Sequence, residues 1–309
     1  MNSLEHLENN IVTPTDWHAW RFQGIGASDA AAACGASRYK SRYQLWREKT
    51  GELNPEPPTE QMRWGLWLEP AITQAYYERT GLELRGQQVC WEHLQYPWMR
   101  STLDTIAESR LVEFKSVGYS IGHHLGEDGD SDSLPPEWIL QVQHQLAVTG
   151  FEVCDVAVFL GHLLELRLYP IIRNDDLIAR LIESESEFWE SVQNRTLPPP
   201  ETIDDFVDFA KRTGHDRKRI GLHDPQVGRA IACYQELGDH IKESEKLREI
   251  YKKEILWSLR GHEYGDLPDG RVIRAQTVEI AERIQTVKAH TQLRLTVREP
   301  KRQNHEHSD

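Results

Sequence analysis

Apolar and polar positions along this chain change their period several times, and each change marks an element. Residues 82–91, 99–104 and 111–117 alternate apolar with polar, the two-residue repeat of strands with one covered face. Residues 153–160 and 163–169 read as a hairpin around Gly161-His162. Helical spacing runs through 60–80, closed by Gly81, with Pro70 expected to kink the helix or restart it after Glu69. A second such stretch runs from Pro135 to Val148 and ends at Gly150. After Asn174, placed as an N-cap, Leu177, Ile178, Leu181, Ile182, Phe188, Trp189 and Val192 form one apolar stripe. Shorter helices are expected at 30–34 and 43–50. Strands at the centre with helices on either side give an α/β (α+β) class, a central mixed sheet flanked by helices.

The pattern changes after the prolines of 197–201. Residues 227–259 are charged and helical, with Ile231, Tyr234, Leu237, Ile241, Leu247, Ile250 and Ile255 at near-heptad spacing. Pro268-Asp269-Gly270 signals a hairpin turn ahead of residues 272–278, and 298–309 reads as a polar, disordered tail. Two regions follow: a core over 1–197 and a C-terminal extension over 198–309.

Composition adds a packed core, since 39% of the 309 residues are hydrophobic and ten are tryptophan. Four scattered cysteines without C-x-x-C spacing argue against zinc or iron–sulfur ligation and fit a reducing cytoplasm. No apolar run reaches the length of a membrane span and the first ten residues do not resemble a signal peptide, so a soluble cytoplasmic protein without a membrane partner is expected. The net charge of −13 argues against a polyanionic partner. It hides a local reversal: residues 20–49 carry six basic side chains and two acidic ones, which suits a basic channel in an acidic protein.

Candidate chemistry centres on Asp104 and the triplet Glu113-Phe114-Lys115. In a strand, Glu113 and Lys115 project to one side and Phe114 to the other. Asp104, at the end of a neighbouring strand, can then bring its carboxylate beside that of Glu113. Two carboxylates with the Phe114 carbonyl suit a hard cation such as Mg²⁺, and Lys115 can orient a water or offset developing negative charge. The same spacing also describes a solvated strand edge, and the residues alone leave both readings open. Glu69 lies at the expected helix kink, although a lone glutamate there reads more readily as surface than as a site residue. Gln141 and Gln145, one helical turn apart, share a face that can hydrogen-bond a metal-bound water or a phosphate. Arg21 and Ser28 flank the turn Gly24-Ile25-Gly26-Ala27, where backbone N–H groups at a helix start offer a phosphate site.

In order, Arg21…Gly24-Ile-Gly-Ala-Ser28-Asp29, Gly65-Leu-Trp-Leu-Glu69-Pro70, Thr102-Leu103-Asp104, Val112-Glu113-Phe114-Lys115 and Gln141-Val-Gln-His-Gln145 resemble the YqaJ-type viral recombinases. These are phage or prophage alkaline exonucleases related to lambda exonuclease, within the PD-(D/E)XK nuclease superfamily. The resemblance covers about residues 20–195 and implies a restriction-endonuclease-like core. It implies Asp104, Glu113 and the Phe114 carbonyl as ligands of Mg²⁺, for which Mn²⁺ substitutes. Lys115, Glu69 and Gln141 would complete the catalytic set, and Arg21, Ser28 and Gln145 would contact DNA or its terminal phosphate. It further implies 5′-to-3′ digestion of double-stranded DNA ends, a homotrimer, and a phage single-strand annealing protein as partner. One position departs from the family, which commonly has glycine after the aspartate where this chain has Thr105. An endonuclease or repair nuclease on the same fold, and a non-catalytic module that binds DNA ends or a recombinase, are the competing expectations.

Overall fold

The structure, a computed structural model, describes residues 11–54, 57, 59–214 and 221–276. It divides into two compact units, Met1–Arg212 and Thr213–Asp309. The first unit holds two sheets. Strands β1 (Ile11–Val12), β4 (Val89–Glu92), β5 (Met99–Leu103) and β2 (Ile25–Gly26) lie side by side in that order. The second sheet runs β3 (Leu84–Arg85), β6 (Thr105–Ala107), β7 (Arg110–Val117), β8 (Val153–Leu160), β9 (Glu165–Ile172). It is mixed, because β7 and β8 pair in parallel while its other pairs are antiparallel.

One bent hairpin supplies both sheets. Its first arm was expected as a single strand over 82–91. Positive φ at Gly86 (+61°) and Gln88 (+55°) instead breaks it into β3 and β4. Opposite that break the second arm passes from β5 to β6 at Asp104, whose carbonyl accepts from the Gln88 N–H at 3.3 Å. Thr105 therefore begins a strand, and its hydroxyl donates to the Arg85 carbonyl at 3.2 Å. The left-handed residue of the β6–β7 turn comes later, at Glu108 (φ +49°). A threonine after the aspartate is thus accommodated without strain.

The helices of this unit are α1 (Trp17–Phe22), α2 (Ala30–Ala33), α3 (Arg42–Lys49), α4 (Glu60–Thr80), α5 (Tyr119–Gly122), α6 (Pro136–Thr149), α7 (Asp175–Gln193) and α8 (Ile203–Thr213). Parallel neighbours need a long crossover, which α6 provides between β7 and β8. Val142 and Leu146 of α6 pack with Leu111, Val156 and Val158 on one face of the sheet. Tyr76 of α4 packs with Val112, Phe114 and Ala157 on the other. The stripe expected on α7 is formed: Ile178, Leu181, Phe188 and Val192 are buried, and the Asn174 side chain caps the helix by accepting from the Leu177 N–H at 2.9 Å. Helix α4 runs unbroken through Pro70 and does not restart there. The proline removes one backbone bond, to the carbonyl of Leu66, while Ile72 and Tyr76 hold the helix on the sheet.

The compact unit continues past the proline-rich stretch at 197–201. Asp205 of α8, buried, accepts from the Ser41 hydroxyl at 3.0 Å, and Asp208 accepts from the Tyr43 hydroxyl at 2.8 Å. The second unit contains the expected long helix, α9 (Pro225–Leu259), and a hairpin of β10 (Tyr264–Asp266) and β11 (Val272–Arg274) turning at Gly270. Residues 277 and 278 of the expected strand, and the tail at 298–309, lie outside the described residues. Among the described residues no helix is long and apolar enough to cross a membrane.

The bond that fastens α4 to the sheet is polar. The buried Tyr76 hydroxyl donates to Asp155 at 2.7 Å, and Arg110 approaches the same carboxylate at 3.1 Å. Replacing Tyr76 by Phe leaves the ring packing and removes one donor from a buried carboxylate. Equilibrium urea unfolding should show a loss of about 1–3 kcal/mol, whereas an unchanged midpoint would mean that Arg110 alone satisfies Asp155.

Candidate active site

The site forms where β7 runs out of partner on one edge. Strand β6 pairs with β7 only as far as Thr105 opposite Val112, so from Glu113 onward that edge is open. The Asp104 carboxylate occupies the next rung: its Oδ2 accepts from the Phe114 N–H at 2.9 Å. The N–H and C=O of one residue leave the same edge of a strand, so the Phe114 carbonyl faces the gap that Asp104 closes. The Phe114 ring points to the other face and meets Tyr76 edge-on, 6.3 Å between centroids.

Glu113 and Lys115 share the face beneath α6, as their alternation requires. Lys115 Nζ lies 2.5 Å from Glu113 Oε1 and 3.0 Å from Gln141 Oε1. Gln141 Nε2 donates to Glu113 Oε1 at 2.6 Å, and Gln145 Nε2 donates to Glu113 Oε2 at 2.7 Å. Trp138, one turn before Gln141, places its ring 5.8 Å from the Lys115 ammonium. From the other side Glu69 of α4 accepts from Gln88 Nε2 at 3.2 Å, and the same amide reaches Asp104 Oδ1 at 3.4 Å. Glu69, Asp104, Glu113 and Lys115 line one cleft of about 530 Å³, walled by Met62, Leu66 and Ile72.

Three carboxylates around one ammonium leave the site with surplus negative charge. Asp104 registers it: burial and then the neighbouring Glu113 carboxylate push its pKa up to about 8, against the opposing pull of the Phe114 N–H and Lys115. Among the described residues no three His, Cys, Asp or Glu side chains gather at ligating distance of a common point. A cation here would draw on two carboxylates, a backbone carbonyl and water, the donor set of a hard ion that stays partly hydrated. The residues fit such an ion. Glu113 Oε2 accepts one hydrogen bond and keeps a lone pair, and Gln145 Oε1 is buried with no partner, an acceptor for a bound water.

The structure moves one residue between roles. Gln145 was grouped with the phosphate contacts, but only 1% of it is exposed and its amide is spent on Glu113. It orients a carboxylate and does not face solvent. Arg21 and Ser28 are in contact with each other, and Arg21 also lies 3.6 Å from Asp29. Lys49 approaches Asp29 at 2.9 Å. Burial alone would raise the Asp29 pKa, yet Lys49 and Arg21 outweigh it and hold the carboxyl well below the usual range. Two cations on one carboxylate leave this turn with a positive surplus. Close approach requires glycine at 24, where a Cβ would lie 2.3 Å from the Trp98 carbonyl, while one on Gly26 would lie 3.1 Å from the Arg21 guanidinium carbon and press on that side chain. Gln88 and Trp138 were not foreseen. Trp138 was legible as the residue three before Gln141 on one helix face, whereas nothing in the sequence marks Gln88.

Residues 16–152 match the YqaJ-like viral recombinase domain. The uncharacterized protein YqaJ of Bacillus subtilis (strain 168) is 25% identical over 307 residues, spanning 96% of this chain and 94% of that relative. The crystal structure of an alkaline exonuclease, LHK-Exo, from Laribacter hongkongensis superposes with a TM-score of 0.50 at 21% identity, covering 64% of this chain and 98% of that one. Its complex with dAMP superposes with the same TM-score at 22% identity, over the same shares of the two chains. These two structures share with this chain the restriction-endonuclease-like fold. The carboxylate cleft and the Arg21 turn both fall inside the segment, residues 16–152, that matches the YqaJ-like viral recombinase domain.

Proposed function

We propose that this chain is a metal-dependent deoxyribonuclease that digests double-stranded DNA from an end, 5′ to 3′, and so exposes single strands for recombination. The observation that carries the reading is the Asp104–Glu113 pair, half-buried and buried respectively, with Lys115 at the open edge of β7. The shared fold with an alkaline exonuclease and the recombinase family support it. Asp104, Glu113 and the Phe114 carbonyl would hold Mg²⁺ or Mn²⁺, which when bound polarises a phosphate and makes a water more acidic. Lys115, with its ammonium fixed by Glu113 and Gln141, points a positive charge at the cleft, where a phosphate gains negative charge on attack. Gln141 and Gln145 hold Glu113 in one orientation, and Glu69, tied to Asp104 through Gln88, adds a third carboxylate on the α4 wall. Arg21 and Ser28 would receive the terminal phosphate, with Lys49 keeping the Asp29 charge compensated. The homotrimer and the single-strand annealing partner belong to this proposal on the family resemblance alone.

Incubation with linear 5′-phosphorylated duplex and Mg²⁺ should release nucleotides while covalently closed circular duplex survives. Glu113→Gln and Lys115→Ala should each slow digestion by about 100-fold or more. Cleavage of the circle would make the protein an endonuclease, and binding without cleavage would make it a DNA-end module.

Asp104 also yields a pH dependence of stability. Its pKa is about 8 in the fold against 3.8 as the ordinary value. Between those values the folded state holds a proton that the unfolded chain has lost, so stability declines as the pH rises through this window and levels off above 8. In a chelator, the melting temperature should fall by several degrees from pH 6 to pH 9. Asp104→Asn should remove that slope, and Mg²⁺ should restore the parent at pH 9. A parent melting profile that is flat with pH would show that Asp104 is ionised without a cation.

A further inference from the structure

Helix α6 carries a polar side chain that the site does not touch. His144, fully buried, stands between Gln143 and Gln145. Its Nε2 lies 3.0 Å from the backbone carbonyl of Arg100, and its Nδ1 lies 2.8 Å from Glu185 Oε1 on α7. A carbonyl only accepts, so Nε2 bears a hydrogen, and one further proton lies between Nδ1 and the Glu185 carboxyl group. Both members of this pair are completely covered, and Glu185 Oε2 has no hydrogen-bond partner. Apolar residues of similar volume would fill the space without desolvating a charge, so the pair is not there for stability alone. What it supplies is a fixed distance between backbones.

The two backbones it joins lead to the two carboxylates of the site. Arg100 lies on β5, and four residues further along that strand, about 13 Å by strand rise, comes Asp104. On α6 the residue after His144 is Gln145, which holds Glu113 Oε2, and one turn before Gln145 is Gln141, which holds Oε1. The imidazole is a direct side-chain link between the strand that leads into Asp104 and the helix that clamps Glu113. We propose that His144 is a positioning residue: through the Arg100 carbonyl it sets the separation of Asp104 from Glu113, and with it the geometry offered to a divalent cation. The proposal rests on the nuclease reading above and adds to it a residue remote from the cleft.

The test separates the two bonds of the imidazole. Glu185→Gln keeps a hydrogen-bonding partner and removes the buried charge, so it serves as the parent. On that background, His144→Gln places an amide near the Nε2 position and can donate to the Arg100 carbonyl. His144→Asn reaches only the Nδ1 position. Mn²⁺ affinity by electron paramagnetic resonance, thermal stability, kcat and KM on linear duplex are measured for each. The Asn variant should bind Mn²⁺ about 10-fold or more weakly, with kcat reduced and KM for DNA ends unchanged. The Gln variant should recover most of both at a comparable melting temperature. Equal losses in the two variants that follow thermal stability would reduce His144 to a packing role and overturn the proposal, as would an Asn variant that binds Mn²⁺ like its parent. An unsubstituted protein that binds Mn²⁺ but leaves DNA intact defeats the nuclease reading alone, because the Mn²⁺ comparison still decides the role of His144. An unsubstituted protein that binds no Mn²⁺ defeats both.

Discussion

Two carboxylates held under cover beside a single ammonium set the terms for the structure around them. Asp104, half-buried, and Glu113, buried, repel each other on the wall of a cleft, and desolvation with that repulsion raises the Asp104 pKa to about 8. Such a pair persists only if the surrounding fold is rigid enough to hold it. The rigidity comes from three directions. The Phe114 N–H takes Asp104 Oδ2, the two α6 amides with Lys115 take Glu113, and Gln88 spans Asp104 and Glu69 from the break in the hairpin. None of these groups is donated by a flexible loop tip. They come from a strand edge, a helix packed on the sheet, and the point where one hairpin is divided between two sheets.

That division shows why part of the site was legible in the sequence and part was not. The alternation in Glu113-Phe114-Lys115 fixes which side chains share a face, and the structure obeys it, with Phe114 on Tyr76 and the two charged groups under α6. Gln141 and Gln145, four apart on a helix, also had to share a face, and they do, on the two oxygens of one carboxylate. Period says which residues are neighbours but not how deep they lie. Gln145 therefore read as a phosphate contact when it is a buried donor. The hairpin break is a failure of another kind. Gly86 is visible as a possible bend, but Gln88 in the left-handed region is not a turn residue by chemistry, and the tertiary pairing of its N–H with the Asp104 carbonyl imposes that conformation. The competing principle was local propensity overridden by sheet geometry.

Charge along the chain was misleading in a similar way. Residues 20–49 hold six basic side chains and two acidic ones, which reads as a basic surface. In the fold half of that surplus is consumed by carboxylates distant in sequence, Arg38 pairing with Glu137 and Arg47 with Asp208, while Lys40 takes Glu48 from within the same stretch. Arg42 lies over the Phe188 ring. Besides Arg42, what survives lies where Arg21 and Lys49 share the single Asp29 carboxylate.

The positive surplus at the turn around Arg21, in a chain of net charge −13, has a consequence for how a polyanion can be engaged. Affinity from counterion release grows with the number of phosphates neutralised, and a long duplex laid across an acidic surface would gain little from a single basic point. A terminal phosphate is different, because it carries more charge than an internal diester and can be approached from the end without bringing the rest of the duplex against acidic surface. The same logic would govern the cleft under the proposed function, where the carboxylates would repel phosphate until a cation reversed their sign. Under the proposed function the two features would divide the work of discrimination: the turn around Arg21 would reward an end, and the cleft would admit a phosphate only in the company of metal. Neither would require a base to be read, as the proposed digestion along arbitrary sequence demands.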